Sequence, residues 1–496
     1  MPMKPRSHWI LPMNDRINSP QSTPELMNQE GEKKPSSSRH ALFGLILAWA
    51  VIVISIVLWT SKTALLGSLN ETSEISESAT DPSSIPDGPL VSIQEELIGQ
   101  IAFGMYNLTG EQASVIQAAS IQAVGPAGEV AYAILLGSIS GPEEGLDALS
   151  KITDFEDPLV ELLVPAATAA LQAAVDGTPV DEATSSLLDE RLGWFGRLAT
   201  DLPDPAAMAV MTESSRSSMV IMAAFLLVFV LGGLIGSVVA VIMLVFSLVG
   251  RLPNRIRPVG AHGIYAETFA IWLLLFFLLQ ISMSLLVPAD APTLALSIGI
   301  FFLSLAALVW PVIRGIPFSQ VRQDIGLHWG GGVREIPFGI VNWMVAVPFL
   351  AVGAILTFGL SAIIEYLSGQ APTPSHPAQQ AAVGAGAWKI VQLYILASVA
   401  APIVEETMFR GVFLTHLRGA MSRWATPIAI VLSALISSVI FAAIHPQGFV
   451  FIPPLAGLAI GFCIGRELRG SLIAPMVAHG FSNALVMTIN VVLFAG

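Results

Sequence analysis

Long apolar runs recur along this sequence and constrain its fold more than any other feature. Only 12% of the residues are charged and 54% are hydrophobic. A bilayer core ~30 Å thick is crossed by ~20 helical residues, and in lipid the backbone must satisfy its own hydrogen bonds. The runs therefore predict an all-α, polytopic helical membrane protein with about nine spans.

The predicted spans alternate with loops of different charge. The arginines occur in the loops at 251–258, 314–322 and 416–423, whereas the loops at 287–293 and 368–387 contain no Lys or Arg. Positive charge stays on the cytoplasmic side of a membrane. We therefore expect a multi-pass protein of a bacterial inner membrane with a cytoplasmic N-terminus. The spans are predicted at 41–61, 219–249, 264–287, 294–313, 338–366, 388–414, 427–445, 449–465 and 471–494.

The remaining segments are polar or acidic. Residues 1–40 are Pro- and Ser-rich and predict a disordered cytoplasmic tail. Residues 62–218 hold 24 acidic against 5 basic residues, with short helix-like runs broken by Pro and Gly, and predict an extracytoplasmic helical domain. Residues 219–496 form the multi-span domain, and 322–336 reads as an interfacial turn. The sequence has no basic stripe with interleaved aromatics, so nucleic acid is not an expected partner.

The stretch EETMFR, residues 405–410, places three charges inside an apolar run. A charge at the centre of a membrane helix costs ~2.5–3.5 kcal/mol on insertion scales, so each of these needs a reason. Glu406 and Arg410 are helical i,i+4 neighbours and can pair. Glu405 points ~100° away from Glu406. We therefore interpret Glu406 and Arg410 as a supporting ion pair and Glu405 as a free carboxylate; a packing network of all three is the alternative.

Two further patterns place polar groups in later spans. Phe441 and His445 are i,i+4 neighbours before Pro446, so His445 lies at a helix end. His479 and Asn483 share one face of the last span, where interhelical hydrogen bonding is the alternative explanation.

Together these side chains predict one polar cavity. Glu405 and a histidine can activate a water molecule, while a second histidine and an amide stabilise an oxyanion. Alternatively, His445, His479 and Glu405 could ligate Zn²⁺, which accepts nitrogen and oxygen ligands. Both routes describe hydrolysis of an amide within the membrane. A transporter or scaffold, in which the charges form an ion path or a packing network, is the alternative function.

The ordered motifs EExxxR, FxxxH and HxxxN resemble the CPBP family of intramembrane proteases, which comprises CAAX proteases and bacteriocin-processing enzymes and is also called the Abi family. Gly411, the LAGLAIGF run at 455–462 and the RGSL at 469–472 are also similar to the family. The resemblance covers about 388–496, the expected protease core. It implies a metal-dependent or metal-free endopeptidase that acts on a membrane-associated peptide or protein in the lipid bilayer. By the resemblance, Glu405 and His445 activate the water, His479 and Asn483 complete the site, and Glu406, Arg410 and Phe441 support it.

A simple up-and-down threading raises one conflict of depth. With the predicted spans, Glu405 lies ~15 Å and His479 ~12 Å from the cytoplasmic surface, at 1.5 Å per helical residue. His445 lies ~27 Å from the start of its own span. A shared site therefore requires a tilted helix, a helix that begins below the surface, or different span boundaries.

Overall fold

The computed structural model describes residues 42–58, 89–110, 121, 125–152, 157–288, 292–368, 381–382 and 385–494. Within these residues the secondary structure is helical and contains no strand. The predicted tail at 1–40 lies outside them, as does much of the linker after the first span. Nine helices in the described part of the chain are long and apolar enough to cross a membrane. The protein is therefore an all-α, integral, multi-pass membrane protein.

The membership of these nine helices differs from the prediction. The first span is described as a helix of 17 residues, α1 (Leu42–Leu58), which is too short for the nine. In its place stands Pro158–Asp176, which the sequence assigns to the extracytoplasmic domain. Leu163 and Leu171 of that helix are fully buried in a cluster with Phe195. The apolar residues of Pro158–Asp176 thus pack within the helical domain. The apolar helix α1 stays our prediction for the first span.

The other membrane helices follow in series. They are α2 (Pro205–Leu248), α3 (His262–Leu286), α4 (Thr293–Ile313), α5 (Gly332–Ser368), α6 (Ala387–Ala420), α7 (Thr426–Ala443), α8 (Phe449–Arg469) and α9 (Ile473–Phe494). Short connections between long helices make neighbours in the chain antiparallel. The helix ends therefore lie at two opposite faces of the membrane.

The two faces differ in what they carry. The "domain face" carries the helical domain. The three segments that connect membrane helices at this face, 287–292, 369–386 and 444–448, contain no Lys or Arg in the sequence. The "arginine face" carries the loops 249–261, 314–331 and 421–425, all with arginines. A Cβ on Gly44, near the start of α1, would lie 2.6 Å from Glu267 near the start of α3. The start of α1 is thus at the arginine face.

The helical domain is continuous with the membrane domain. Its helices are Ile93–Thr109, Pro126–Ser140, Pro142–Ser150, Pro158–Asp176, Glu182–Leu192 and Trp194–Asp201. The 44 residues of α2 extend ~66 Å, about twice the bilayer core. Its first turns pack on the domain, where Asn107 Nδ2 donates to Ser215 Oγ at 3.2 Å. One unbroken helix therefore joins the domain to the membrane helices.

Small residues allow α2 and α8 to approach α5 closely. A Cβ on Gly236 of α2 would lie 1.7 Å from the Met344 carbonyl oxygen, and one on Gly457 of α8 would lie 2.2 Å from that of Phe349. In lipid, helices associate through such packing rather than through the hydrophobic effect. The contacts fix α5 between its neighbours and so help to position α9.

We expect Gly236→Ala to destabilise the protein by about 1–3 kcal/mol, because the added methyl group would have to displace the α5 backbone. The measurement is the thermal unfolding midpoint in one detergent. Gly299→Ala in α4 is the matched control, since a Cβ there meets nothing within 4 Å. Equal midpoints for both variants would contradict the close packing of α2 on α5.

Candidate active site

The helix that carries the two glutamates is irregular on both sides of them. Within α6, residues Leu396–Ala400 and Thr407–Phe413 are π-helical, and the glutamates lie in the short α-helical segment between them. A π-helical turn is often found at functional sites because it leaves backbone groups without their usual partners. The sequence carries no signal for either segment.

Glu406 is fully buried and binds two partners through one oxygen. Its Oε1 accepts a hydrogen bond from Arg410 Nη1 at 2.8 Å, in the ion pair that the i,i+4 spacing predicts. The same oxygen lies 2.9 Å from His479 Nδ1. Since a carboxylate oxygen accepts, His479 Nδ1 carries a proton, and Nε2 is the ring nitrogen that faces Glu405. Glu406 therefore orients His479 as well as neutralising Arg410.

Glu405 faces the other nitrogen of the same histidine. Its Oε2 lies 3.8 Å from His479 Nε2. That oxygen is buried and has no hydrogen-bond partner, although 15% of the side chain is exposed. The prediction of a carboxylate that does not share the Arg410 pair agrees with this geometry. His479 lies between the two glutamates. The carboxylates of Glu405 and Glu406 and the guanidinium of Arg410 sum to one negative charge, which one further proton on His479 or Glu405 would balance.

The Phe441 ring contacts Arg410 and both histidines. The Arg410 guanidinium lies 4.5 Å from the Phe441 ring centroid, a distance typical of a cation–π contact. The His445 ring lies 4.4 Å and the His479 ring 5.8 Å from the same centroid. Phe462 stacks on His479 at 5.2 Å. Phe462 is the last residue of the LAGLAIGF run at 455–462, but its contact with His479 was not predicted from the sequence.

His445 also has one fixed nitrogen. Its Nδ1 lies 2.7 Å from the Phe441 carbonyl oxygen, which can only accept. Nδ1 therefore donates, and Nε2 of the neutral ring is the proton acceptor. The contact with the Phe441 carbonyl oxygen thus sets the tautomer of His445.

Asn483 is held by the first π-helical segment of α6. Its Nδ2 donates to the Ala397 carbonyl oxygen at 2.8 Å. A Cβ on Gly480 would lie 2.5 Å from the Ser398 carbonyl oxygen, so α9 approaches α6 closely beside His479. This contact ties Asn483 to the helix that carries the glutamates.

The conflict of depth is resolved by the end of α6 and by the start of α9. Helix α9 begins below the arginine face, because Leu472 lies beside Gly411, where a Cβ would be 3.3 Å from the Leu472 side chain, nine residues before the end of α6. The predicted span ends at residue 414, but the helix continues to Ala420, and Glu405 lies ~22 Å from that end. Arg410 contacts Phe441, and one turn further along the two antiparallel helices come Glu406 and His445. The boundary was misjudged because Arg418 makes the last turn look like a loop, whereas that arginine is buried and paired with Glu467.

The donor set only partly fits the predicted zinc ion. The Nδ1 bonds of His445 and His479 are those that metal-binding histidines make to their second shell. However, the described residues contain no group of three or more His, Cys, Asp or Glu side chains that could hold a metal ion. Zn²⁺ ligation by His445, His479 and Glu405 therefore stays a prediction.

Comparison with known proteins agrees with the motifs. Residues 387–485 match the model of the family described as type II CAAX prenyl endopeptidase Rce1-like. The membrane-embedded CAAX protease MroQ of Staphylococcus aureus (strain USA300) is 29% identical over 99 residues, which are 20% of this chain. That region spans 39% of the length of MroQ. The search of solved structures gave no significant match. The C-terminal region of the chain, with its two glutamates and two histidines, is therefore similar to the CPBP family of CAAX-protease-like membrane proteins.

Proposed function

We propose that this protein is an intramembrane endopeptidase in which Glu405 acts as the general base. The observation that carries the proposal is the position of His479 between two adjacent glutamates, 2.9 Å from Glu406 and 3.8 Å from Glu405. Glu406 is already bonded to Arg410, whereas Glu405 Oε2 has no hydrogen-bond partner. A buried carboxylate with a free oxygen beside an oriented histidine is suited to proton transfer.

In the proposed reaction, His445 orients a water molecule and Glu405 takes one proton from it. The water oxygen then forms a bond to the carbonyl carbon of the peptide. His479, with a proton on Nε2 while Glu405 is ionised, donates to the carbonyl oxygen, as does the second Nδ2 hydrogen of Asn483, and both stabilise its negative charge. As the C–N bond breaks, Glu405 returns the proton to the leaving amine. Glu406, Arg410 and Phe441 keep the reacting groups in place.

The proposed substrate is a membrane-associated peptide or protein, and the proposed location is the inner membrane of a bacterium. The loops of the arginine face hold the basic residues, and those of the domain face hold none. By the positive-inside rule, the N-terminus is then cytoplasmic and the helical domain extracytoplasmic.

The test is cleavage of a membrane-peptide library by the purified protein in proteoliposomes. His479→Ala is expected to lower the rate at least ~100-fold, because proton transfer and oxyanion stabilisation each contribute about that much. Arg423→Ala, at an exposed loop, is the control. Undiminished cleavage by His479→Ala would contradict the proposal. Substrate-independent ion flux without cleavage would favour the transporter.

A chelator in the same assay separates the metal-free from the metal-dependent route. We expect cleavage to continue at an unchanged rate, because the proposed proton transfers use only Glu405 and the histidines. Loss of cleavage on chelation, with recovery when Zn²⁺ is added, would contradict the metal-free step while leaving the protease assignment intact.

A further inference from the structure

The burial of α6 changes abruptly at the site. Every residue from Glu406 to Gly419 is buried, whereas several residues of the preceding turns are exposed, including Val391 and Val399. Glu405 is partly exposed and directly precedes the buried stretch. Helix α8 changes in the same sense, because residues 451–455 are half-buried and 456–459 are buried. The site therefore lies at a boundary within the membrane domain. On the domain-face side of Glu405, residues of α6 and α8 are partly exposed. On the arginine-face side, which we call the solid half, they are buried.

Ion pairs close the solid half at the arginine face. Arg418 and Glu467 are both buried and lie 2.7 Å apart. Arg469 binds the buried Glu335 through two hydrogen bonds of 2.7 and 3.0 Å. The buried Arg466 donates to the Asp324 carbonyl oxygen at 3.2 Å. Breaking a buried ion pair leaves an uncompensated charge and is strongly unfavourable, so this end is an unfavourable entrance.

The half towards the domain face contains polar atoms that have no partner. Ser398 Oγ and Gln447 Oε1 are buried without a hydrogen bond, as is Glu405 Oε2. Ser398 precedes Glu405 along α6, and Gln447 follows His445 in the turn at the domain face. Buried atoms without a hydrogen bond, such as Ser437 Oγ and Glu406 Oε2, also occur in the solid half, so the direction of the path rests on the burial of α6 and α8 and on the ion pairs. Buried polar groups need partners, and a peptide backbone or water would supply them.

We propose that the substrate reaches Glu405 from the domain face, along a path that Ser398 and Gln447 line. The path holds water, since hydrolysis consumes one. The substrates are accordingly membrane-anchored proteins whose scissile bond lies in the half of the bilayer next to the helical domain. This substrate class rests on the proposed protease function, whereas the path itself is a property of the structure.

Cysteine accessibility tests the path without any substrate. Cys463, which is buried, is first replaced by alanine. Ser214→Cys and Arg423→Cys, both at exposed positions, then define the domain face and the arginine face. The probe is a small, positively charged, membrane-impermeant methanethiosulfonate, added to sealed cells or to inverted vesicles.

Glu405→Cys and Gln447→Cys are expected to react only from the face at which Ser214→Cys reacts. Val412→Cys, in the buried stretch of α6, is the matched control and should stay unreactive in a folded protein. Reaction of Glu405→Cys from the face defined by Arg423→Cys would overturn the proposal. Failure to react from either face would overturn it as well, because the path must admit water.

Mapping of new protein termini in cells tests the substrate class. Cells that produce the wild-type chain are compared with cells that produce Glu405→Gln, and the extra termini should map to the membrane half next to the domain face. Extra termini in segments at the arginine face would contradict the substrate class but support the protease. The absence of extra termini, with the expected labelling, would contradict the protease function and leave the path intact.

Discussion

Replacement of Glu405 by glutamine is expected to lower the rate of peptide-bond cleavage at least ~100-fold, because glutamine cannot accept the proton of water. The unfolding midpoint should change little, since Glu405 Oε2 makes no hydrogen bond. Cleavage is followed by mass spectrometry in proteoliposomes, and unfolding is followed in the same preparation.

Glu365→Gln is the matched control for this prediction. Glu365 is an exposed glutamate near the end of α5 at the domain face. Its substitution removes the same charge and should leave both the rate and the midpoint unchanged. A Glu405→Gln variant that cleaves at the wild-type rate would show that another group activates the water.

Replacement of Glu406 by leucine is expected to destabilise the protein by about 3–5 kcal/mol, because it leaves Arg410 charged and unpaired in a buried site. The double variant Glu406→Leu/Arg410→Met should regain most of that stability, since apolar residues replace both charges. It should remain inactive, because His479 Nδ1 has then lost its acceptor. The measurements are the unfolding free energy and the cleavage rate per folded molecule.

The pair Arg418–Glu467 provides the control for that cycle. It is also a buried ion pair, at 2.7 Å, but it lies at the arginine face. Glu467→Leu should destabilise similarly, and Glu467→Leu/Arg418→Met should regain both stability and cleavage. Recovery of cleavage in the Glu406/Arg410 double variant would contradict the positioning role of Glu406.

Local spacing predicted the parts of the site that one helix determines. The i,i+4 relation of Glu406 and Arg410 is an intrahelical property, and the ion pair is present at 2.8 Å. The bond from His479 to the same glutamate joins residues 73 positions apart. Spacing within a helix carries no information on such a contact. The sequence therefore predicted that Glu406 pairs with Arg410 but not that it also binds His479.

Helix ends and irregular turns were less accessible to prediction. The span that carries Glu405 continues past residue 414 because Arg418 finds a buried partner on α8, which hydropathy alone does not reveal. No residue type marks the π-helical segments at 396–400 and 407–413. The apolar helix Pro158–Asp176 meets the criteria for a span, yet its leucines pack in the helical domain.

The central claim is that one of two adjacent glutamates reacts while the other holds Arg410 and His479. The most direct test is the cleavage rate per folded molecule of Glu405→Gln and Glu406→Gln, measured with their unfolding midpoints in one preparation. We predict that Glu405→Gln is inactive at the wild-type midpoint, whereas Glu406→Gln loses stability and cleaves only slowly. Cleavage by Glu405→Gln at the wild-type rate, with Glu406→Gln inactive at an unchanged midpoint, would contradict the account.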